Sequence, residues 1–397
     1  MQKSKNSAFT IAAIVLAACL FYALSGGIRS NYGLIRGAIS ASSGADYAAV
    51  SFVLAVAQLS FGVMQPVFGI VALKKSNGFV LAGGAILTAA GLFGIPLCRS
   101  AGMLMVFMGL LMPMGLAAFS FGIIMGAVTP MLGERRAATV SGFVSASSGL
   151  GSIILAPVLR SLLDSSGLWG AVLSLAIPAA CLTPAALWLS RSAGLHGSAE
   201  ERKTDSLRVM LGEAVRNRSY RCLVLAFFTC GFHMAIIETH LYTQFTSYGF
   251  SDATVAYVFS VYGITTMLGS VVSGFLCSRV PMQYVLGSFY GSRTIWIVGF
   301  ILLPKTLVSV YCYAALLGFT GAATVPPTSA LVNRLFGPAR LGTLFGVAFV
   351  AHQLGSFFSA WLGGICVAAT GGYTLIWLVS AGFSLCAAAL SYSVKTE

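Results

Sequence analysis

Apolar residues run in long blocks along this chain, and charged and turn-forming residues gather in the gaps between them. The blocks fall at about 9–30, 47–72, 79–98, 102–130, 139–163, 168–189, 221–246, 253–277, 284–303, 306–332, 342–369 and 373–392. Most approach or exceed the roughly 20 residues that a helix needs to cross a bilayer. Backbone groups in hydrocarbon must pair with one another, which leaves helices as the reading for blocks of this length. The pattern predicts an all-α membrane protein with twelve transmembrane helices, numbered here as spans one to twelve. The first block, from Phe9, is too long for a secretory signal and leads into a second, so it reads as span one.

Most gaps are short. One is long, 190–220, and it carries Glu200, Glu201, Arg202 and Lys203. It splits the spans six and six: an N-terminal bundle over 1–189, a linker over 190–220 and a C-terminal bundle over 221–397. Within the linker, Leu207, Met210, Leu211, Ala214 and Val215 alternate with Arg208, Glu213, Arg216 and Arg218. That spacing predicts a short amphipathic helix at the membrane interface, with a solvated tether as the alternative.

The halves repeat. Gly133, Arg136, Thr139, Gly142, Gly151 and Gly167 recur as Gly337, Arg340, Thr343, Gly346, Gly355 and Gly371, each 204 residues further on. A repeat in the same orientation after six spans is a parallel repeat, the plan in which two halves enclose a solute site near the bilayer midplane. Glycines on these spans permit close helix contact.

Composition agrees. Of 397 residues, 57% are hydrophobic and 8% charged, too few charges for a soluble surface. The formal net charge of +13 suggests a nucleic-acid partner only until the charges are placed. With both termini on one side, that side carries 17 of the 23 Lys and Arg residues, among them Lys3, Lys5, Lys74, Lys75, Arg135, Arg136, Arg279, Arg334, Arg340 and Lys395. The excess is topological: it puts both termini and the linker in the cytoplasm, in a bacterial inner (plasma) membrane. The nine cysteines stand singly with no metal-ligand spacing. No nucleophile–base pair, phosphate loop or metal cluster is visible, so neither an enzyme nor a cofactor is expected. Gly149-Leu150-Gly151 lies inside a span and reads as packing. A receptor is disfavoured by the short loops, and a passive channel by the repeat. The expected partners are a small-molecule solute, protons and membrane lipid, with no nucleic acid and the chain as a monomer.

Several stretches resemble the major facilitator superfamily, and within it the bacterial relatives of monocarboxylate transporters and oxalate–formate exchangers. They are Gly27-Ile28-Arg29-Ser30-Asn31-Tyr32-Gly33, Cys230-Gly231-Phe232-His233 with Thr239-His240-Leu241, and His352-Gln353-Leu354-Gly355-Ser356 with Gly363-Gly364. The resemblance covers nearly the whole chain and implies the major facilitator fold. Two departures stand out. The loop after span two, Gly69 to Ser76, has Leu73 where the family places an Asp, and its counterpart at Gly274–Arg279 also lacks the acid. Span eight lacks the Asp and Arg of monocarboxylate transporters.

A charge in hydrocarbon costs roughly 2.5–3.5 kcal/mol at the midplane, so it normally marks a partner or a wet cavity. The candidates are Arg29, Glu238 and Arg293. Arg29 is similar in position to a substrate-contacting Lys of monocarboxylate transporters, and a guanidinium suits a carboxylate bidentately; snorkelling is the structural alternative. Arg293 in span nine reads as a substrate contact or as an Arg buried against carbonyls. Glu238, with His233 and His240 seven residues apart on one helix face, makes a proton-coupling set; hydrogen-bonded packing is the alternative. Asn31, Tyr32 and Gln58, with Gln65, add polar contacts from the N-terminal half, and His352 with Gln353 from the C-terminal half; interhelical bonding would explain them equally. The expected function is secondary active transport of a small organic anion, a carboxylate, with proton coupling or exchange. The alternative is a proton-coupled exporter of a drug, siderophore or other larger amphiphile, since Gly149–Pro157 loosely resembles the antiporter signature of such exporters.

Overall fold

A computed structural model describes residues 8–45, 47–192 and 207–395. Among them every regular element is helical, and twelve helices are long and apolar enough to cross a membrane. Span one is Ala8–Ser30, span two Tyr47–Lys74, span three Asn77–Gly94 and span four Ala101–Leu132. Spans five and six run through Glu134–Ser192 and are separated at Gly167. Span seven begins at Arg218, span eight is Asp252–Cys277, span nine Met282–Leu302, span ten Leu307–Phe336, span eleven Pro338–Thr370 and span twelve Thr374–Tyr392. The chain is an integral membrane protein.

The polar residues between blocks start the helices. The side chains of Ser76, Ser100, Asn217, Ser251 and Thr306 accept bonds from the backbone N–H groups of Phe79, Met103, Tyr220, Thr254 and Ser309. Each satisfies a donor that the first turn would otherwise leave unpaired. The amphipathic stretch forms the helix Leu207–Arg216, with Met210 and Ala214 buried and Val209 and Val215 exposed. Arg218 belongs instead to span seven, because Asn217 caps that helix. The charged run at Glu200–Lys203 and the N-terminal Lys3 and Lys5 lie outside the described residues.

Three features depart from the apolar-block pattern. Span one is followed by a further helix, Tyr32–Ser43. Between the two, Asn31 leaves helical geometry, and its Nδ2 donates to the Gly27 carbonyl at 2.8 Å. Spans four and seven also contain wide π-helical turns, at Met105–Leu111 and Ile237–Leu241.

The described residues divide into two compact units. The first draws on Met1–Ala137, Ser147–Leu207 and Pro338–Gly346; the second on Ala138–Ala146, Arg208–Gly337 and Val347–Glu397. Within them the repeat is visible in three dimensions. Gly133 and Gly337 end spans four and ten with φ of 75° and 78°, a region where a side chain is strained. Gly151 lies against the Ala23 carbonyl of span one, and Gly355 against the Phe228 carbonyl of span seven. In the first unit a methyl on Gly346 would lie 2.6 Å from the Pro66 nitrogen of span two; in the second, one on Gly142 would lie 2.7 Å from the Ser270 carbonyl oxygen of span eight. Span five thus meets spans one and eight through the glycine positions at which span eleven meets spans seven and two.

Candidate functional site

In the first unit the informative group is Arg29, at the last turn of span one. Its side chain is partly exposed. An Nη donates to Oε1 of Gln58 at 3.0 Å, and the guanidinium carbon sits 3.8 Å from the centre of the Phe61 ring. Gln58 and Phe61 are three residues apart on span two and therefore share a face. Arg29 Nε is buried with no hydrogen-bond partner among the described residues. A guanidinium has five N–H donors and stays charged. A neutral amide and an aromatic face hold this one in orientation without cancelling its charge.

The neighbouring candidates divide. Asn31 is buried and its amide holds the end of span one. Tyr32 opens the following helix; its side chain lies outside the described set. Gln65 is buried two turns beyond Gln58, with its Nε2 unpaired among the described residues. Phe61 carried no signal by itself in the sequence. Its spacing from Gln58 was the available clue.

In the second unit, the π-helical turn of span seven contains both Glu238 and His240. Such turns interrupt the ordinary helical register and recur at functional sites. Glu238 is exposed. His240 is partly buried, its ring against Gly363 of span eleven and 6.3 Å from the Tyr373 ring. His233, seven residues earlier on the same span, lies in a different environment. It has no exposed surface. Its Nδ1 shares a 3.0 Å bond with the Ser380 hydroxyl of span twelve, and its ring meets Trp377 edge-on at 5.9 Å. His352 is partly buried, stacked on Phe349 at 5.0 Å, with Nδ1 3.2 Å from Gln353 Oε1.

Arg293 is fully buried. Its Nη2 donates to the carbonyls of Thr320 and Gly321 at 2.5 and 2.6 Å, and Nη1 reaches Cys230 Sγ at 3.6 Å. The reason lies in span ten. Pro326 and Pro327 lack the N–H groups that would pair with the preceding turn, and the helix changes to a tight turn at Ala322–Thr324. Ser273 of span eight donates at 2.5 Å to the Ala323 carbonyl, which Pro327 leaves without its helical donor, and Arg293 takes the carbonyls of Thr320 and Gly321 just before the tight turn. Of the two roles considered for Arg293, these surroundings match that of an Arg buried against carbonyls.

Comparison with known proteins sets these residues in context. Residues 18–315 match the sequence profile of the Major Facilitator Superfamily. YcxA of Bacillus subtilis (strain 168), an uncharacterized MFS-type transporter, is 21% identical over 341 residues, covering 84% of this chain and 82% of its own. Monocarboxylate transporter 13 of Bos taurus is 24% identical over 375 residues, covering 94% and 86%. Among solved structures, a variant of the E. coli fucose:proton symporter FucP is similar with a TM-score of 0.75 at 15% identity, covering 98% and 99% of the two chains. The proton:xylose symporter XylE gives 0.73 at 14%, covering 96% and 94%. At such identities the solved structures speak for the fold.

Proposed function

The chain belongs to the Major Facilitator Superfamily and is a secondary transporter, and from that premise we propose that it carries a small organic anion, most simply a carboxylate. The observation behind this reading is the state of Arg29: a charged fork in the last turn of a membrane helix, oriented by Gln58 and Phe61, with no carboxylate partner among the described residues. A carboxylate would complete it with charge-assisted, paired hydrogen bonds. The name of the bovine relative, a monocarboxylate transporter, points to the same class.

Glu238 is the proton-coupling group in this reading, with His240 beside it on the π-helical turn. A proton carrier must change protonation where protons can reach it. Glu238 is exposed, whereas His233 has no exposed surface. Both termini lie in the cytoplasm of a bacterial cell, following the basic side of the chain.

The test is transport by the purified protein in liposomes. Wild type takes up a labelled carboxylate and exchanges it. Arg29→Ala loses both uptake and exchange, while Glu238→Gln keeps exchange and loses the response of net uptake to a pH gradient. Carboxylate transport that survives Arg29→Ala sinks the anion reading. Transport of bulky amphiphiles alone would favour an exporter.

A further inference from the structure

The segment following Asp252 has no Asp or Glu until Glu397, yet it contains Arg279, Arg293, Lys305, Arg334, Arg340 and Lys395. Arg293 and Lys305 are held by backbone carbonyls. Arg279 and Arg334 are different. Both are exposed, and neither guanidinium has a hydrogen-bond or ion-pair partner among the described residues. They line one cavity of about 380 Å³ at the ends of spans eight, nine and ten, with Cys277, Pro281 and Gln283. It lies at the end of the second unit where Ser219 bonds the backbone of Lys395, the side on which the basic residues concentrate.

A second cavity, a groove of about 430 Å³, begins at Val280, a residue that lines both. It follows Leu276 and Val272 back along span eight, and Tyr284, Phe289 and Trp296 forward along span nine, to Phe319 of span ten. Tyr284 to Trp296 is about 18 Å of helix, close to half the ~30 Å thickness of the hydrocarbon. The two cavities therefore join a cationic mouth at the membrane surface to an apolar track one leaflet deep.

We propose that this continuous surface binds a single anionic phospholipid, its phosphate between Arg279 and Arg334 and one acyl chain along the groove of spans eight, nine and ten. Charge selects the headgroup. Two unpaired guanidinium groups, with no acid in the lining, suit a phosphate and disfavour a zwitterionic lipid, whose ammonium would meet the same cations. The apolar track distinguishes a lipid from a free phosphate ester. Anionic lipids are enriched at the cytoplasmic surface, where basic residues concentrate. Its lining includes neither Arg29 nor Glu238, so it stands or falls independently of the transported solute.

The experiment uses the full-length protein in a neutral detergent. Thermal unfolding and native mass spectrometry are recorded with phosphatidylglycerol, phosphatidylcholine, glycerol 3-phosphate and inorganic phosphate. Phosphatidylglycerol raises the melting temperature and remains bound, and the other three do not. Arg279→Gln and Arg334→Gln each weaken its binding about fivefold and the pair about twenty-fivefold, with the lipid-free melting temperature unchanged because both side chains are exposed. Ser292→Trp, placed in the groove lining, reduces lipid binding with the charges intact. Binding of phosphatidylglycerol that survives the double arginine variant overturns the site. Equal stabilisation by inorganic phosphate, unaffected by Ser292→Trp, overturns the lipid and leaves a soluble-anion pocket.

Discussion

Arg29 and Arg293 are the same residue type in the same solvent, and the protein treats them in opposite ways. Arg293 is fully buried, and its two shortest bonds go to backbone carbonyls around a break in span ten. Arg29 remains partly exposed, with one bond to a neutral amide and a ring beneath it. Neither faces a carboxylate among the described residues. Of the two, only Arg29 keeps exposed surface through which a group could approach the guanidinium. An intramembrane charge is thus a functional candidate by default, but its hydrogen-bond partners decide whether that default holds.

Substitution should separate the pair. The largest effect is expected at Arg29: Arg29→Ala removes charge-assisted bonds worth about 1.5–3 kcal/mol each, so carboxylate transport falls by a hundredfold or more while the melting temperature changes little. Arg29→Lys keeps the charge without the paired fork and recovers part of the rate. Arg293→Met should behave in the reverse sense. It removes the charged donors to the carbonyls of Thr320 and Gly321, at about 1.5–3 kcal/mol each, and shows as a lower yield and melting temperature, with the KM of the surviving protein near wild type. A lost KM with unchanged stability in Arg293→Met would erase the distinction.

Smaller effects probe the frame that holds the two arginines. Gly151→Val and Gly355→Val put a β-carbon against equivalent carbonyls, Ala23 and Phe228. Overpacking of this kind costs about 1–3 kcal/mol. The repeat predicts similar losses for the two, readable as matched drops in melting temperature. The smallest effect belongs to Asn31→Ala, which frees the Gly27 carbonyl at a cost of about 1 kcal/mol and leaves transport measurable. Abolished transport with intact folding would return Asn31 to the substrate site.

Much of this architecture was legible in the sequence. Apolar blocks are long because hydrocarbon demands it, and the twelve helices follow them closely. The 204-residue repeat was readable because glycines at helix crossings and caps do jobs no other residue does, as Gly133 and Gly337 illustrate. The helix Tyr32–Ser43 was not readable: its glycines and serines resemble a loop, and its existence depends on the local break at Asn31. The site was less visible still. Helical periodicity assumes an unbroken register, so the π-helical turn at Ile237–Leu241, between His233 and the end of the span, came without warning. The role of Arg293 depends on carbonyls from a helix some thirty residues away. The pair Pro326-Pro327 was the local sign that the helix of span ten would break nearby.

The central claim is that Arg29 is the anion-binding group of this transporter. It is tested most directly by thermal unfolding of wild type and Arg29→Ala against a panel of small carboxylates, with amphiphilic drugs and iron chelates as controls. A ligand that binds the folded state raises the melting temperature by mass action, by RT ln(1 + [L]/Kd). The account predicts stabilisation of wild type by at least one carboxylate and none of Arg29→Ala by the same compound. Equal stabilisation of both proteins, or stabilisation of wild type by the amphiphiles alone, would contradict it.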